Sequence, residues 1–265
     1  PKWDVIALDK TKFKAVISKW QTDLAVGEGW NSLFWNNHDL PRAISIWGND
    51  QDNRIKSAKA FAMLFHFMRG TPFIYQGEEI GMTNPHFSHI TDYRDVESHN
   101  MFAGLRAQGR EANDLLAILA SKSRDNSRTP MQWDSSANAG FTQGEPWINL
   151  CDNYADINVA AALNDEDSVF YTYQRLIALR KTEPVLTWGN YQDLLPDSPH
   201  VWCYRRERQG QRLLVVANLS NACQAWLPEH HEGNWQALMH NYDEVATRPA
   251  AMTLRPFEAV WWLQK

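Results

Sequence analysis

Apolar residues recur at helical intervals near the start of the chain. Phe13, Val16, Ile17 and Trp20 share one face, with Lys12, Lys14 and Lys19 elsewhere on the turn. After Gly27 and Gly29 the pattern changes to a short continuous apolar run, Leu33-Phe34-Trp35. It predicts a buried strand that breaks off in the polar cluster Asn36-Asn37-His38-Asp39 before Pro41. A second helical stripe, Ala58, Phe61, Ala62, Phe65 and Met68, ends at Gly70. Pro72-Phe73-Ile74-Tyr75 then predicts another buried strand, which gives way to Gln76-Gly77-Glu78-Glu79. Helix, strand, helix, strand, with near-continuously apolar strands, is the pattern of a parallel sheet covered by helices. In (β/α) barrels the polar residues at the C-terminal ends of such strands form the active site.

Residues 82–166 read as a long, polar, turn-rich segment, and a loop of that length inside a compact domain is usually functional. A further helix is expected from Ser168 to Lys181, with Phe170, Tyr173, Leu176 and Ile177 inward and Pro184 ending it. From about Trp188 the runs become short and β-rich: Val201 to Tyr204, Leu213 to Leu219, Ala259 to Leu263. Turn signals at Gln209-Gly210 and Glu232-Gly233-Asn234 separate them, which predicts a small antiparallel β domain. The expected division is therefore an α/β domain over 1–187 and a β domain over 188–265.

Composition narrows the function classes. At 44% hydrophobic and 22% charged, the chain has the balance of a soluble globular protein, with no apolar stretch long enough for a membrane span. A net charge of −5 argues against nucleic acid as a partner. Three cysteines without a CxxC pair suit a reducing cytoplasm rather than a disulfide framework. The chain opens on Pro1 with no signal peptide, so its natural start is expected upstream. Thirteen tryptophans stand out; their flat faces suit sugar rings, though core packing explains most of them as well.

The sharpest chemical feature is Asn37-His38-Asp39 at a strand mouth. A carboxylate beside an imidazole suits sugar hydroxyls and an oxocarbenium-like transition state, while a strand-end turn is the plainer reading of the tripeptide alone. Arg124 and Arg128 bracket Asp125 and Asn126, as an arginine that keeps a carboxylate ionised would, or as a surface ion pair would. Glu78 and Glu79 suit acid–base chemistry or an arginine-paired role. No metal site is expected, since His86, His89 and His99 fit no zinc spacing and lack a cysteine partner. No phosphate-cradling glycine loop or nucleophile elbow is present, and no cofactor is expected.

Together these segments resemble glycoside hydrolase family 13, the α-amylase superfamily. FWNNHDLPR is similar to the family's fourth conserved region on barrel strand seven, and GTPFIYQGEEIGM to strand eight. SRDNSRTPMQW, followed by NAGFTQGEPW, is similar to the branch of oligo-1,6-glucosidases and trehalose-6-phosphate hydrolases. The resemblance implies the C-terminal part of a (β/α)8 barrel, about strands seven and eight with their helices. It implies a retaining α-glucosidase with trehalose 6-phosphate, a phosphorylated disaccharide, as substrate. Asp39 matches the transition-state-stabilising aspartate, His38 the histidine beside it, Arg124 an arginine on the terminal glucose, and Glu97 a glutamate by the leaving-group sugar. Leu40 departs from the family, where glutamine is common.

The family's nucleophilic aspartate and acid–base glutamate lie on strands four and five, and no stretch here resembles them. The resemblance thus implies a missing N-terminal half as the chain's partner. Lys10, Lys12 and Lys14, at the start of the first helix, are candidates to bind a 6-phosphate, a solvated helix face being the alternative. Two other functions stay open: an oligo-1,6-glucosidase acting on isomaltose-type ends, and a non-catalytic binding or chaperone homologue.

Overall fold

A computed structural model describes residues 2–228 and 232–265. In chain order the helices are α1 (Lys10–Val26), α2 (Ala43–Ile46), α3 (Arg54–His66), α4 (Val96–Ala107), α5 (Ala112–Lys122), α6 (Val159–Leu163), α7 (Val169–Thr182) and α8 (Pro184–Trp188). The strands are β1 (Ser32–Leu33), β2 (Thr71–Pro72), β3 (Asn190–Asp193), β4 (Val201–Arg208), β5 (Gln211–Asn218), β6 (Gln224–Trp226), β7 (Trp235–His240), β8 (Met252–Leu254) and β9 (Ala259–Gln264). The chain divides into two compact units. One comprises Pro1–Ala7, Trp35–Trp47 and Ile74–Tyr171; the other comprises Leu8–Phe34, Gly48–Phe73 and Thr172–Lys265.

The second unit holds both sheets of the C-terminal region. Five strands pair antiparallel in the order β3-β4-β5-β9-β7, and β6 pairs with β8. Alternate residues of these strands meet in one apolar core with Val201, Cys203, Leu214, Val216, Val260 and Trp262, where Trp226 stacks on Trp262 with ring centroids 5.6 Å apart. Burying each large side chain stabilises the unit by roughly 1.5–3 kcal/mol. The β4–β5 hairpin turns at Gln209 and Gly210, with φ of 50° and 85°. Positive φ at both central residues is what a two-residue turn needs to match strand twist, so the Gln-Gly signal has its physical basis here.

Helix α1 follows the expected pattern only in part: Phe13 and Ile17 are partly buried and Lys12 and Lys19 are exposed, but three positions differ. Val16 and Trp20 are half exposed, while Lys14 is buried. The Lys14 ammonium donates to the carbonyls of Leu195 (2.5 Å) and Val201 (3.1 Å), and Lys10 donates to the carbonyl of Leu219. Loop and strand-end carbonyls need donors, and two lysines supply them, so Lys10 and Lys14 turn inward beside Phe13 and Ile17. Against the substrate role expected of Lys14, its ammonium is enclosed and two of its three N–H donors are on carbonyls.

Strands β1 and β2 pair in parallel, Ser32 with Thr71 and Leu33 with Pro72. They are shorter than expected, and Phe34 and Phe73 are exposed. An apolar run in a parallel sheet is covered only when strands flank both edges and helices cover both faces. Among the described residues each of these strands has one neighbour. Helix α3 is buried on every side from Ser57 to His66. The Tyr204 hydroxyl donates to its Leu64 carbonyl at 2.7 Å. In α7 the inward face is narrower than expected: Tyr173 and Leu176 are buried, but Ile177, a further 100° round the helix, is exposed. Pro184 sits in the first turn of α8, where its missing N–H costs nothing.

The first unit contains residues 82–166, which are not a structureless loop. Helices α4 and α5 pack through Met101, Leu115 and Leu119 against Phe87, Tyr93 and Ile148. A smaller core gathers Ile80, Met82, Met131 and Ile157. Between helices the chain turns sharply at Asn138, Ala139 and Gly140, three successive residues with φ between 54° and 66°. A Cβ at Gly140 would lie 2.7 Å from the Asp134 carboxylate, so only glycine fits.

Candidate active site

Three short segments of the first unit build the site, and each is fixed from within. The segment after Trp35 is tied by Asn36, whose side-chain oxygen accepts from the Ala43 amide (2.7 Å) and whose Nδ2 donates to Glu78 (2.6 Å). Arg42 is fully buried and donates to the Gln76 carbonyl at 3.0 Å, with its guanidinium 6.0 Å from the Tyr75 ring. Burial pushes its pKa down, and burial also pushes the Glu79 carboxyl up, against backbone hydrogen bonds and the Arg42 charge. Glu78 thus braces the segment through Asn36, and Glu79 lies half-buried beside it with its carboxyl raised by burial.

The second segment is the start of α4. Asp95 is its N-cap and accepts from the Glu97 amide at 3.2 Å. The third is a short 3₁₀ turn over Arg124–Ser127, capped by Ser123, whose hydroxyl accepts from the Asp125 amide. Asp125 ties the second and third segments together. Fully buried, it accepts from the amides of Arg94 (2.7 Å) and Asp95 (2.8 Å) through one oxygen. The Ser127 hydroxyl reaches the Asn37 carbonyl at 3.1 Å and so ties in the first segment.

A web of charge results. Arg124 donates to both oxygens of Asp95, from Nε at 2.8 Å and from Nη2 at 2.7 Å, a bidentate fork. The same Nη2 lies 3.5 Å from Glu97, and Nη1 lies 3.5 Å from Asp39. Arg128 donates to Asp39 at 2.9 Å and to the His38 carbonyl at 2.8 Å. His38 Nε2 lies 3.3 Å from the other Asp39 oxygen. Hydrogen bonds from Arg124 hold Asp95 below the usual carboxylate range, against its burial, and the same bonds raise Arg124. Two arginines, three carboxylates and an imidazole share one surface. Asp39 is half exposed and His38 more so.

The structure brings together Asp39, His38, Arg124 and Glu97. Lys12 and Lys14 belong to the other unit. Asp95 was missed, and Arg128 was noted without its partner. Asp95 had a readable signal, an aspartate directly before a helix, the N-cap pattern. Arg128 was visible only as a bracket around Asp125, because its reach across 89 positions to Asp39 is a property of the fold. Among the described residues no three His, Cys, Asp or Glu side chains gather in a way that would hold a metal, and no helix is long and apolar enough to cross a membrane. The three cysteines are free thiols, with Cys151 and Cys203 buried.

Comparison with known proteins fits this constellation. Residues 1–189 match the model of the alpha-amylase catalytic domain. The chain is 64% identical over 264 residues to a trehalose-6-phosphate hydrolase of Escherichia coli strain K12, covering 100% of this chain and 48% of that protein. It is 47% identical over 270 residues to an oligo-1,6-glucosidase of Halalkalibacterium halodurans, covering 100% of this chain and 47% of that one. A crystal structure of Bacillus licheniformis trehalose-6-phosphate hydrolase superposes with a TM-score of 0.97 at 44% identity, covering the whole chain and 48% of that structure. The chain thus spans about half the length of the relatives it matches. On the family model, the relatives and the charged constellation around Asp39, this chain belongs to the alpha-amylase family.

Proposed function

We propose that this chain is the C-terminal part of a retaining α-glucosidase that hydrolyses trehalose 6-phosphate to glucose and glucose 6-phosphate in the cytoplasm. In this reading β1 and β2 are the seventh and eighth strands of a (β/α)8 barrel, and a separate β domain runs over 188–265. Three observations support that division: the parallel β1–β2 pairing, the end of the family match at residue 189, and the start of β3 at Asn190. The carrying observation for the substrate is the 64% identity to a trehalose-6-phosphate hydrolase across the whole chain.

Retaining hydrolysis needs a nucleophile and an acid about 5–5.5 Å apart, flanking the scissile bond. In this chain Asp95 is locked to Arg124, and Glu97 lies between Arg124 and Lys2. We assign both catalytic carboxylates to an N-terminal half that completes the barrel. Asp39 then hydrogen-bonds hydroxyls of the glucose being cleaved and stabilises positive charge as the ring flattens. His38 contacts the same sugar, and Arg124 donates to its hydroxyls from an orientation set by Asp95. Glu97 lines the site of the departing sugar. Lys12, exposed and 3.3 Å from Asp9, keeps the proposed contact to the 6-phosphate. No role is assigned to a membrane or to nucleic acid.

The test is glucose release by the chain alone and by a chimera in which it replaces the matching 48% of the Escherichia coli relative. The chain alone should release none, and the chimera should cleave trehalose 6-phosphate in preference to isomaltose. The oligo-1,6-glucosidase reading draws on the 47% identical relative, and a chimera cleaving isomaltose alone would establish it. A folded chimera inert on both sugars would overturn both readings and favour a non-catalytic homologue.

A further inference from the structure

Asp39 sits on a half-exposed stretch of chain, yet preorganised electrostatic stabilisation requires its carboxylate to be in place before the substrate reacts. Something must hold it, and its contacts differ in quality. The His38 ring is itself exposed and lies 3.3 Å away. Arg124 approaches only to 3.5 Å and spends its Nε and Nη2 on Asp95. Arg128 makes the short contact, 2.9 Å from Nη2 to Asp39 Oδ1, and its Nε donates at 2.8 Å to the carbonyl of the preceding residue, His38.

Nε and Nη2 lie on one edge of a rigid planar guanidinium, so their spacing is fixed. That edge therefore sets the Asp39 carboxylate at a fixed offset from the His38 peptide, limiting rotation about the side chain. The opposite side of the guanidinium is backed by charge: Arg128 Nη1 lies 4.0 Å from Asp125 Oδ1. Asp125 cannot move away, because it is buried and its other oxygen is pinned by two backbone amides. Arg128 itself is about three-quarters enclosed.

We propose that Arg128, backed by Asp125, is the positioning residue that fixes the Asp39 carboxylate, while Arg124, oriented by Asp95, is left for the sugar. Two arginines four positions apart thus divide the work, one holding the protein's own carboxylate and one facing the ligand. The proposal rests on the hydrolase reading above.

Kinetics of the chimera test it. Arg128→Ala should lower kcat about 100-fold, the scale of a small misplacement of a catalytic group, and change KM for trehalose 6-phosphate by less than about 3-fold. Added guanidinium should restore part of kcat by refilling the vacated fork. Arg128→Lys should fall between, since an ammonium reaches Asp39 without fixing its angle. Asp39→Asn separates the two claims. Full activity in Asp39→Asn would overturn the hydrolase reading. Loss in Asp39→Asn with an unchanged kcat in folded Arg128→Ala would overturn the positioning role alone. If circular dichroism shows that Arg128→Ala does not fold, Arg128→Lys decides: a kcat equal to the parent's would overturn the role.

Discussion

Two sets of cations in this chain differ in what holds them. In the second unit Arg206 is fully buried and donates to the carbonyls of Gly189, Leu186 and Phe67. Arg180 beside it donates to those of His66, Met68, Leu186 and Gly70. Lys14 does the same for Leu195 and Val201. In the first unit Arg124 and Arg128 are paired with Asp95, Asp39 and Asp125 at a surface. A guanidinium consumed by neutral carbonyls stitches loops and keeps no capacity for a ligand. One that shares carboxylates in a half-exposed cluster can exchange a long contact, such as the 3.5 Å approach of Arg124 to Asp39, for a sugar hydroxyl. The residue type is the same in both places, and the partner decides whether it serves the fold or a ligand.

The largest effect expected from that contrast is on stability. Arg206→Ala removes the arginine donor from the enclosed carbonyls of Gly189 and Phe67, leaves that of Leu186 to Arg180 alone, and should cost about 3–5 kcal/mol, read as the fall in unfolding free energy of the chain. A loss below about 1 kcal/mol would mean that the carbonyl set is dispensable.

Acid should strain the same region. His66 is buried, donates to the Ala62 carbonyl and lies near Arg180; burial first, with Arg180 adding to it, lowers its pKa to about 4. An unfolded histidine takes its proton near 6.5, so between 6.5 and about 4 the unfolded state binds more protons, and stability falls as pH falls through that window. The loss should approach about 3 kcal/mol by pH 4. The same titration of His66→Gln should lack this component.

Activity should respond at the other set. In the chimera Arg124→Ala should lower kcat/KM about 100-fold, mostly through KM, because a ligand contact is removed. The smallest effect is reserved for Lys12. Lys12→Ala should raise KM for trehalose 6-phosphate a few-fold and leave isomaltose unchanged, in keeping with one exposed charge. Equal effects on both sugars would end its phosphate role.

These contrasts also explain what was legible in advance. Three strands of the five-stranded sheet were visible because Val201 to Tyr204, Leu213 to Leu219 and Ala259 to Leu263 are short, near-continuously apolar runs and Gln209-Gly210 marks the hairpin. Asp39, His38, Arg124 and Glu97, named from short local motifs, lie together in the fold. Helices α4 and α5 were read as loop: α4 buries only Ser98 and Met101 and raises no stripe, whereas α5 carries one in Leu115, Leu116, Ile118 and Leu119 that was passed over among the polar residues around it. The orientation of Lys14 was misjudged for another reason. A lysine among apolar neighbours looks solvent-facing, and only the distant carbonyls of Leu195 and Val201 reveal that it points inward. Contacts made across nearly two hundred positions leave no trace in local spacing.

The carbonyl wiring of Arg206 has a consequence for ionic strength. Its partners carry no net charge and lie out of reach of water, so dissolved ions have nothing to compete for and little field to screen. Around Asp39 the charges are partly open to water, and dissolved ions screen such charges over a length that falls from about 10 Å at 0.1 M salt to about 3 Å at 1 M. Raising salt toward molar concentrations should therefore loosen the ligand-facing web while the stitched loops hold, and a salt titration separates the two without a single substitution.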